Sequence, residues 1–255
     1  MNESVLSETP SSPAAPWGRR GAFTTIRVEG SPPRLLFLDE HLGRLFHSAN
    51  LLGLSPSLSC ERIQREVMTL VTSVPLPSPF LLRVCLFEGE YSMDCRPALP
   101  AQPGLSGRIL RHARSHPEAK TTEDAIPYSM LAEMDLSKED LLLVHPETER
   151  LLESATANLI FAKDDLLVIP EGNVLPGLTL DAVLASLYGN PRFRIERCSP
   201  RMDESDAFDE ILACGSGREV SAFCAIPELD WRNRSVTAFD ALSRAYATYK
   251  KERHA

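Results

Sequence analysis

Lysine is scarce in this sequence, and its scarcity singles out one residue that could carry amine chemistry. The 255 residues include five lysines: Lys120, Lys138, Lys163, Lys250 and Lys251. Four have plain solvated roles, in an acidic helix start, at a hairpin tip beside two aspartates, and in a charged tail. Lys120 instead follows a His-Pro-Glu-Ala loop and has no expected acidic i,i+4 partner. A lysine amine can attack a carbonyl carbon, although a solvated side chain is the default interpretation of Lys120 taken alone.

Two glycine-containing segments could bind a phosphate group. In "LPGLTLD", Gly177, Leu178 and Thr179 stand at a predicted helix N-terminus, where free N–H groups and the helix dipole favour an anion. In "CGSGREV", Ser216 and Gly217 follow an apolar strand, so a nest of N–H groups and a hydroxyl donor could form there. An ordinary capped helix and a tight turn are the alternatives. Neither spacing fits a P-loop or GxGxxG, which argues against nucleoside triphosphates and dinucleotides.

An acidic residue and an asparagine lie at the mouth of a predicted apolar hairpin, "ERLLESATANLIFAKDDLLVIP". Glu153 comes just before a strand that we expect to be buried, and Asn158 follows five residues later. A buried carboxylate needs a partner, so Glu153 is a candidate for a functional role. The alternative is an exposed acid at a strand edge.

The first part of the chain predicts a disordered tail and a small α+β domain. Residues 1–16 are rich in Ser, Pro and Glu, which cannot bury enough surface to offset chain entropy. Residues 17–103 predict two strands, a helix with Asp39 as its N-cap, a second helix and an apolar strand. Arg44 falls off the apolar stripe of the first helix, on its far side. A linker between Pro97 and Gly107 ends this unit.

Residues 104–255 predict a larger mixed domain. Its elements are a strand, loop, helix and strand, then the hairpin, a helix capped by Thr179, two strands and a closing helix over 237–251. The chain has no internal repeat, so two different mixed α/β domains with a cleft between them are expected. Clefts of this kind are where ligands usually bind.

Composition excludes several classes of function. The formal net charge is −8 and no basic run is interleaved with aromatics, which argues against nucleic acid as a partner. No apolar stretch approaches the ~20 residues of a membrane span, and the start does not resemble a signal peptide, so a cytoplasmic protein is expected. The six cysteines are dispersed without a CxxC pair, which predicts reduced thiols and no metal site.

Five segments together resemble the class IV aminotransferases, the fold-type IV pyridoxal-phosphate enzymes. They are "DEHLGRLFHSANLLGL", Lys120, "LLESATANLIFA", "LPGLTLDAVL" and "GSGREVSAF", in the family's order and rough spacing. Lys120 and Glu153 are 33 residues apart, similar to the family's interval between its lysine and its ring-nitrogen acid. The resemblance runs from about Gly21 to the C-terminus. It implies an α/β (α+β) fold of two domains, the smaller one N-terminal, and a homodimer.

The resemblance implies a role for each candidate residue. Lys120 would hold pyridoxal 5′-phosphate as an imine and then move protons at the substrate carbon. Glu153 would favour the protonated ring nitrogen, and Asn158 would brace the loop around it. Leu175 would pack on the ring face. The phosphate would be bound by Arg44, by the helix start at Gly177, Leu178 and Thr179, and by Ser216 with Gly217.

The sequence departs from the family pattern near the predicted substrate pocket. The segment before the first strand reads only "WGRRGAF", Leu180 replaces a common arginine, and "FEG" stands where Arg-Gly is frequent. "GSGREVSAF" resembles transaminases of small amino acids and 2-oxo acids, whereas "GAFTTIRV" resembles aminodeoxychorismate lyases, which form 4-aminobenzoate and pyruvate. We therefore expect an aminotransferase, with the lyase as an alternative. A catalytically silent homologue that only binds a ligand or partner is a third hypothesis.

Overall fold

The structure is a computed structural model that describes residues 15–188 and 192–253. The predicted tail lies outside the described residues up to residue 14. No helix within the described ranges combines the length and the apolar character needed to span a bilayer. The mixed α/β class predicted above is confirmed, with helices packed on two sheets.

The first sheet forms from residues near the N-terminus. Its described strands have the order β2-β1-β3-β4 and are all antiparallel. The elements of this unit are β1 (Ala22–Glu29), β2 (Arg34–Leu35), α1 (Leu38–Leu51), α2 (Cys60–Ser73), β3 (Phe80–Leu86) and β4 (Tyr91–Pro97). The helices bury apolar stripes against β1 and β3, with Leu42, Leu45, Ile63 and Val67 in the shared core.

Two predicted helix caps are wrong. Asp39 was expected to cap α1, but the N-cap is Phe37, in a left-handed conformation, and Asp39 lies inside the first turn. Burial of Phe37 determines where α1 begins, because this residue is only 6% exposed and packs into the core of the second sheet. Thr179 was expected to cap the helix α4 (Leu178–Ser186), but Gly177 occupies the N-cap position. The Thr179 hydroxyl is therefore available for other contacts.

The second sheet contains nine described strands, and part of it closes on itself. Strand β7 pairs with both of its neighbours, so β5, β6, β7, β8, β11 and β12 form a ring. The strands are β5 (Leu105–Arg111), β6 (Glu139–Val144), β7 (Leu151–Ser154), β8 (Asn158–Lys163), β9 (Leu166–Ile169), β10 (Arg194–Arg197), β11 (Glu210–Gly215), β12 (Glu219–Ile226) and β13 (Trp231–Arg232). The remaining helices are α3 (Ala125–Leu131) and α5 (Thr237–Arg253), with single 3-10 turns at Met202–Ala207 and Pro227–Leu229.

Two apolar cores hold the second sheet. One contains Leu159, Phe161 and Phe223, and the other packs α4 and α5 against β8, β11 and β12. Burying one such side chain stabilises the fold by about 1.5–3 kcal/mol, so the ring is a firm support for residues at its ends. β5 begins at Leu105, earlier than the predicted end of the linker. The domain boundary at residue 103 stays a prediction.

Candidate active site

A cavity of about 280 Å³ is lined by residues from both sheets. Each residue that the sequence singled out for a cofactor site lines this one cavity. They are Arg44, Lys120, Glu153, Asn158, Leu175, Gly177, Leu178, Thr179, Ser216 and Gly217. Residues separated by more than 170 positions in the chain are thus brought together.

Lys120 lies in the loop between β5 and α3, where its backbone is hydrogen-bonded to α1 and to β1. Its N–H donates to Ser48 Oγ at 3.1 Å, and its carbonyl accepts from the Phe23 N–H at 2.9 Å. The Lys120 Nζ lies 4.8 Å from the centroid of the Phe23 ring. Burial lowers the pKa of Lys120 well below its usual value, and Arg44 and Arg114 lower it further against the opposing effect of Glu153. A neutral amine is the nucleophilic form of lysine.

The lowered pKa of Lys120 predicts a pH-dependent stability of the apo-protein. Between the folded pKa and the ordinary value of 10.5 the unfolded chain binds one more proton, so the free energy of unfolding should rise with pH. Lys120→Met removes the titrating amine. We therefore expect the free energy of unfolding of this variant to exceed that of the wild type at pH 7, and the excess to shrink towards pH 9. Urea titrations of both proteins at several pH values measure this difference in unfolding free energy. A constant difference would contradict a neutral Lys120.

Glu153 is buried, which contradicts the alternative of an exposed edge acid. Its side chain accepts a hydrogen bond from Arg114 Nε to Oε1 at 2.5 Å and another from the Leu175 N–H to Oε2 at 3.2 Å. A carboxylate has about four acceptor positions, so Glu153 keeps capacity for a further donor from the cavity. Burial alone would lower the pKa of Arg114, but Glu153 and Asp124 raise it, and the guanidinium stays charged.

Sequence reasoning missed Arg114. It donates to Asp124 Oδ2 at 3.4 Å and to the Ala155 carbonyl at 3.2 Å besides its bond to Glu153. A buried carboxylate requires a cation or several donors, so the prediction that Glu153 is buried implied such a partner. Its position in the loop six residues before Lys120 gave no local signal.

Asn158 and Glu153 hold the Leu175 backbone from two directions. The two residues face each other across β7 and β8. Asn158 Nδ2 donates to the Leu175 carbonyl at 2.8 Å, while Glu153 accepts from the Leu175 N–H. A Cβ at Gly177 would lie 1.7 Å from Asn158 Oδ1, so only glycine fits there. The chain is thus held rigidly just before α4.

The two anion-binding candidates meet in the same cavity. Thr179 Oγ1, at the start of α4, lies 3.3 Å from Ser216 Oγ, in the turn between β11 and β12. Arg44 donates to the Pro176 carbonyl at 3.2 Å, and its Nε is one of the buried polar atoms that have no hydrogen-bond partner among the described residues. Burial lowers the pKa of Arg44 to about 10, which leaves it charged at neutral pH. An unsatisfied cationic donor beside two hydroxyls and a helix N-terminus fits a phosphate.

An aromatic wall forms another side of the cavity. We use this name for Trp17, Phe23 and Tyr128. Trp17 and Tyr128 stack with ring centroids 3.6 Å apart, and Phe23 meets the Trp17 ring edge-on at 5.2 Å. Arg96 also lines the cavity, and no ion pair of Arg96 occurs within the described ranges. Sequence reasoning missed this wall, because its residues are far apart in the chain.

Comparison with known proteins places the chain in a family. The family model for class IV aminotransferases matches residues 21–226. No curated protein matches by sequence. The structure is similar to a branched-chain amino acid aminotransferase of Escherichia coli, with a TM-score of 0.74, 18% identity, and coverage of 90% of this chain and 84% of that one.

Two further solved structures cover more of the chain. A hypothetical aminotransferase from Mycobacterium tuberculosis in a PLP-bound form has a TM-score of 0.76, 18% identity, and coverage of 98% of this chain and 96% of that one. A protein assigned as a 4-amino-4-deoxychorismate lyase has a TM-score of 0.73, 25% identity, and coverage of 95% and 98%.

The chain belongs to the class IV aminotransferase family. It is therefore a pyridoxal-phosphate-dependent enzyme, and the predicted family, fold and cofactor are confirmed. The residues of the cavity fit this cofactor. They include an amine of lowered pKa, Lys120, a buried carboxylate, Glu153, and an arginine with an unsatisfied donor, Arg44. We call Arg44, Thr179 and Ser216 the anion-binding cradle.

Proposed function

We propose that this enzyme is an aminotransferase that moves an amino group between a small amino acid and a 2-oxo acid. The observation that carries the proposal is the meeting of Lys120, Glu153 and the anion-binding cradle in one cavity. When bound, pyridoxal phosphate supplies an electron sink for the bond broken at the substrate Cα. Lys120 would hold the cofactor through its amine, and the same amine, when free, would move the proton at the substrate Cα. A cytoplasmic homodimer remains part of this proposal.

Glu153 holds a proton at the ring nitrogen. Its side chain accepts a hydrogen bond from Arg114 Nε at 2.5 Å, and a carboxylate beside the ring nitrogen would favour the protonated form of that nitrogen. Arg44, Thr179, Ser216 and the backbone at Leu178 would bind the phosphate. Leu175, whose backbone is fixed by hydrogen bonds to Glu153 and Asn158, would pack against the ring.

The rest of the cavity favours a monocarboxylate with an apolar side chain. Arg44 and Arg114 are engaged by the phosphate and by Glu153 in this arrangement, which leaves Arg96 for the substrate carboxylate. The aromatic wall gives a planar apolar surface close to Lys120. The Arg83 guanidinium lies 5.2 Å from the centroid of the Trp17 ring but is already paired with Asp94 at 2.7 Å. A second carboxylate on the side chain would therefore meet a wall whose cation is engaged.

An aminodeoxychorismate lyase is the second candidate. It is supported by the similarity to a protein assigned to that activity, at 25% identity over 98% of its length. Phe23 and Thr25 of the "FTT" segment line the cavity, so the lyase-like motif lies where it could touch substrate. Elimination of pyruvate also begins with proton removal at the carbon that Lys120 faces.

An amine-donor screen decides between the two reactions. Purified enzyme with added cofactor is given a series of amino acids with a monocarboxylic 2-oxo acid that has an apolar side chain, and separately 4-amino-4-deoxychorismate. Formation of a new amino acid supports the aminotransferase, whereas formation of pyruvate with 4-aminobenzoate supports the lyase. Absence of both products would overturn the proposed function.

Arg96 provides a prediction for substrate binding. We expect Arg96→Met to raise KM for the accepted amino acid about 10–100-fold, because a charge-assisted hydrogen bond is worth about 1.5–3 kcal/mol, with cofactor binding unchanged. Arg65→Met, at an exposed position on α2, is the control. Steady-state kinetics on both variants measure KM. An unchanged KM for Arg96→Met would refute the role of Arg96 in binding the substrate carboxylate.

A further inference from the structure

A buried histidine lies directly behind the anion-binding cradle. His41 is in the first turn of α1 and is 1% exposed. Its Nδ1 lies 2.7 Å from Thr24 Oγ1, and its Nε2 lies 3.4 Å from Ser216 Oγ. It thus connects the first sheet to the turn between β11 and β12. None of the roles described above uses this residue.

The contacts around His41 form a continuous chain of hydrogen bonds. Arg44 Nη2 donates to Thr24 Oγ1 at 3.5 Å, so that oxygen already serves as an acceptor. The chain continues from Thr24 through His41 to Ser216, whose Oγ lies 3.3 Å from Thr179 Oγ1. Both ends of the chain therefore reach groups that face the cavity.

The protonation state of His41 restricts the direction of these bonds. Burial lowers the pKa of His41 well below its usual value, and the nearby charge of Arg44 lowers it further. A neutral imidazole donates from one ring nitrogen and accepts at the other. Thr24 is fully buried, and of the two partners of its hydroxyl, Arg44 can only donate. The Thr24 hydroxyl hydrogen is therefore donated to Nδ1, which leaves the Nε2–H to donate to Ser216 Oγ.

We propose that His41 is a positioning residue that directs the Ser216 hydroxyl hydrogen towards the cofactor phosphate. Because Ser216 Oγ accepts from His41, its own hydrogen is free to point into the cavity. The Nε of Arg44, which has no partner among the described residues, would donate to the phosphate from the other end of the same hydrogen-bond chain. The inference rests on the proposed phosphate site. It adds that a neutral His41 must donate to Ser216 for that site to bind the phosphate fully.

The test compares binding of pyridoxal 5′-phosphate with binding of pyridoxal, which lacks the phosphate. Absorbance titrations of apo-protein give both dissociation constants. We expect His41→Phe, which keeps a ring but removes both nitrogens, to weaken pyridoxal-phosphate binding about tenfold and to leave pyridoxal binding unchanged. His47→Phe, an exposed histidine on the same helix, is the matched control.

A double-mutant cycle separates positioning from general damage. If His41 acts through Ser216, adding His41→Phe to Ser216→Ala should change pyridoxal-phosphate binding little. Should His41→Phe fail to fold, Thr24→Val interrupts the same chain of hydrogen bonds on the other side of His41. It should also weaken binding of pyridoxal phosphate and leave binding of pyridoxal unchanged. Equal weakening of both ligands, or additive effects in the cycle, would overturn the role of His41. Failure of the wild-type protein to bind pyridoxal phosphate would instead overturn the proposed function itself.

Discussion

Lys120→Ala should lower kcat by about 10³-fold or more, because it removes both the amine that holds the cofactor and the group that moves the proton. The variant should still bind pyridoxal phosphate non-covalently through Arg44, Thr179 and Ser216, since it keeps these three side chains. Rapid-mixing kinetics with the amino donor found in the screen measure the loss of kcat. The visible absorption of the bound cofactor measures the non-covalent binding.

Lys163→Ala is the control for Lys120→Ala. Lys163 ends β8 and forms an ion pair with Asp209 at 2.7 Å, away from the cavity. Its replacement should leave turnover within a factor of about two, since partly exposed ion pairs contribute little to stability. Substantial turnover by Lys120→Ala would show that another residue carries the chemistry.

Glu153→Gln should produce the second large effect, a loss of about 10²-fold or more in the rate of proton removal at the substrate Cα. The amide can still accept from the Leu175 N–H, but it carries no charge to hold a proton on the ring nitrogen. The variant should also lose about 3 kcal/mol of unfolding free energy, because Arg114 keeps its buried charge and loses its nearest counter-ion. A primary isotope effect with substrate deuterated at Cα identifies the slowed step.

Asp124→Asn separates the two consequences of changing Glu153. Asp124 contacts the same Arg114, at 3.4 Å, and does not line the cavity. We expect it to lower stability in urea titrations while leaving the isotope effect and the rate of proton removal near wild type. If both variants slowed proton removal alike, the role of Glu153 would be structural only.

Strong local patterns made much of the fold predictable. The apolar stripes of α1 and α2 and the β-branched run in β1 are local signals, and the structure contains these elements at the expected places. β4 was missed because its sequence, "YSMDCRP", is mostly polar and it lies at the exposed edge of the sheet. The segment interpreted as a hairpin contains three strands, and the closure of the ring through β7 depends on pairings that no local pattern encodes.

The site shows the same division between local and long-range information. Gly177 and Ser216 were found because helix starts and glycine turns have short signatures. Arg114 and His41 were missed because their importance comes from contacts with residues 39 and 175 positions away in the chain. Only folding brings these partners together.

Reduction of the loaded enzyme with borohydride, followed by peptide mass mapping, tests the central claim most directly. The reagent makes the link between the cofactor and its lysine permanent. A phosphopyridoxyl group on Lys120 alone is the predicted result. The same group on any of the other four lysines, or no modified peptide from a protein saturated with the cofactor, would contradict it.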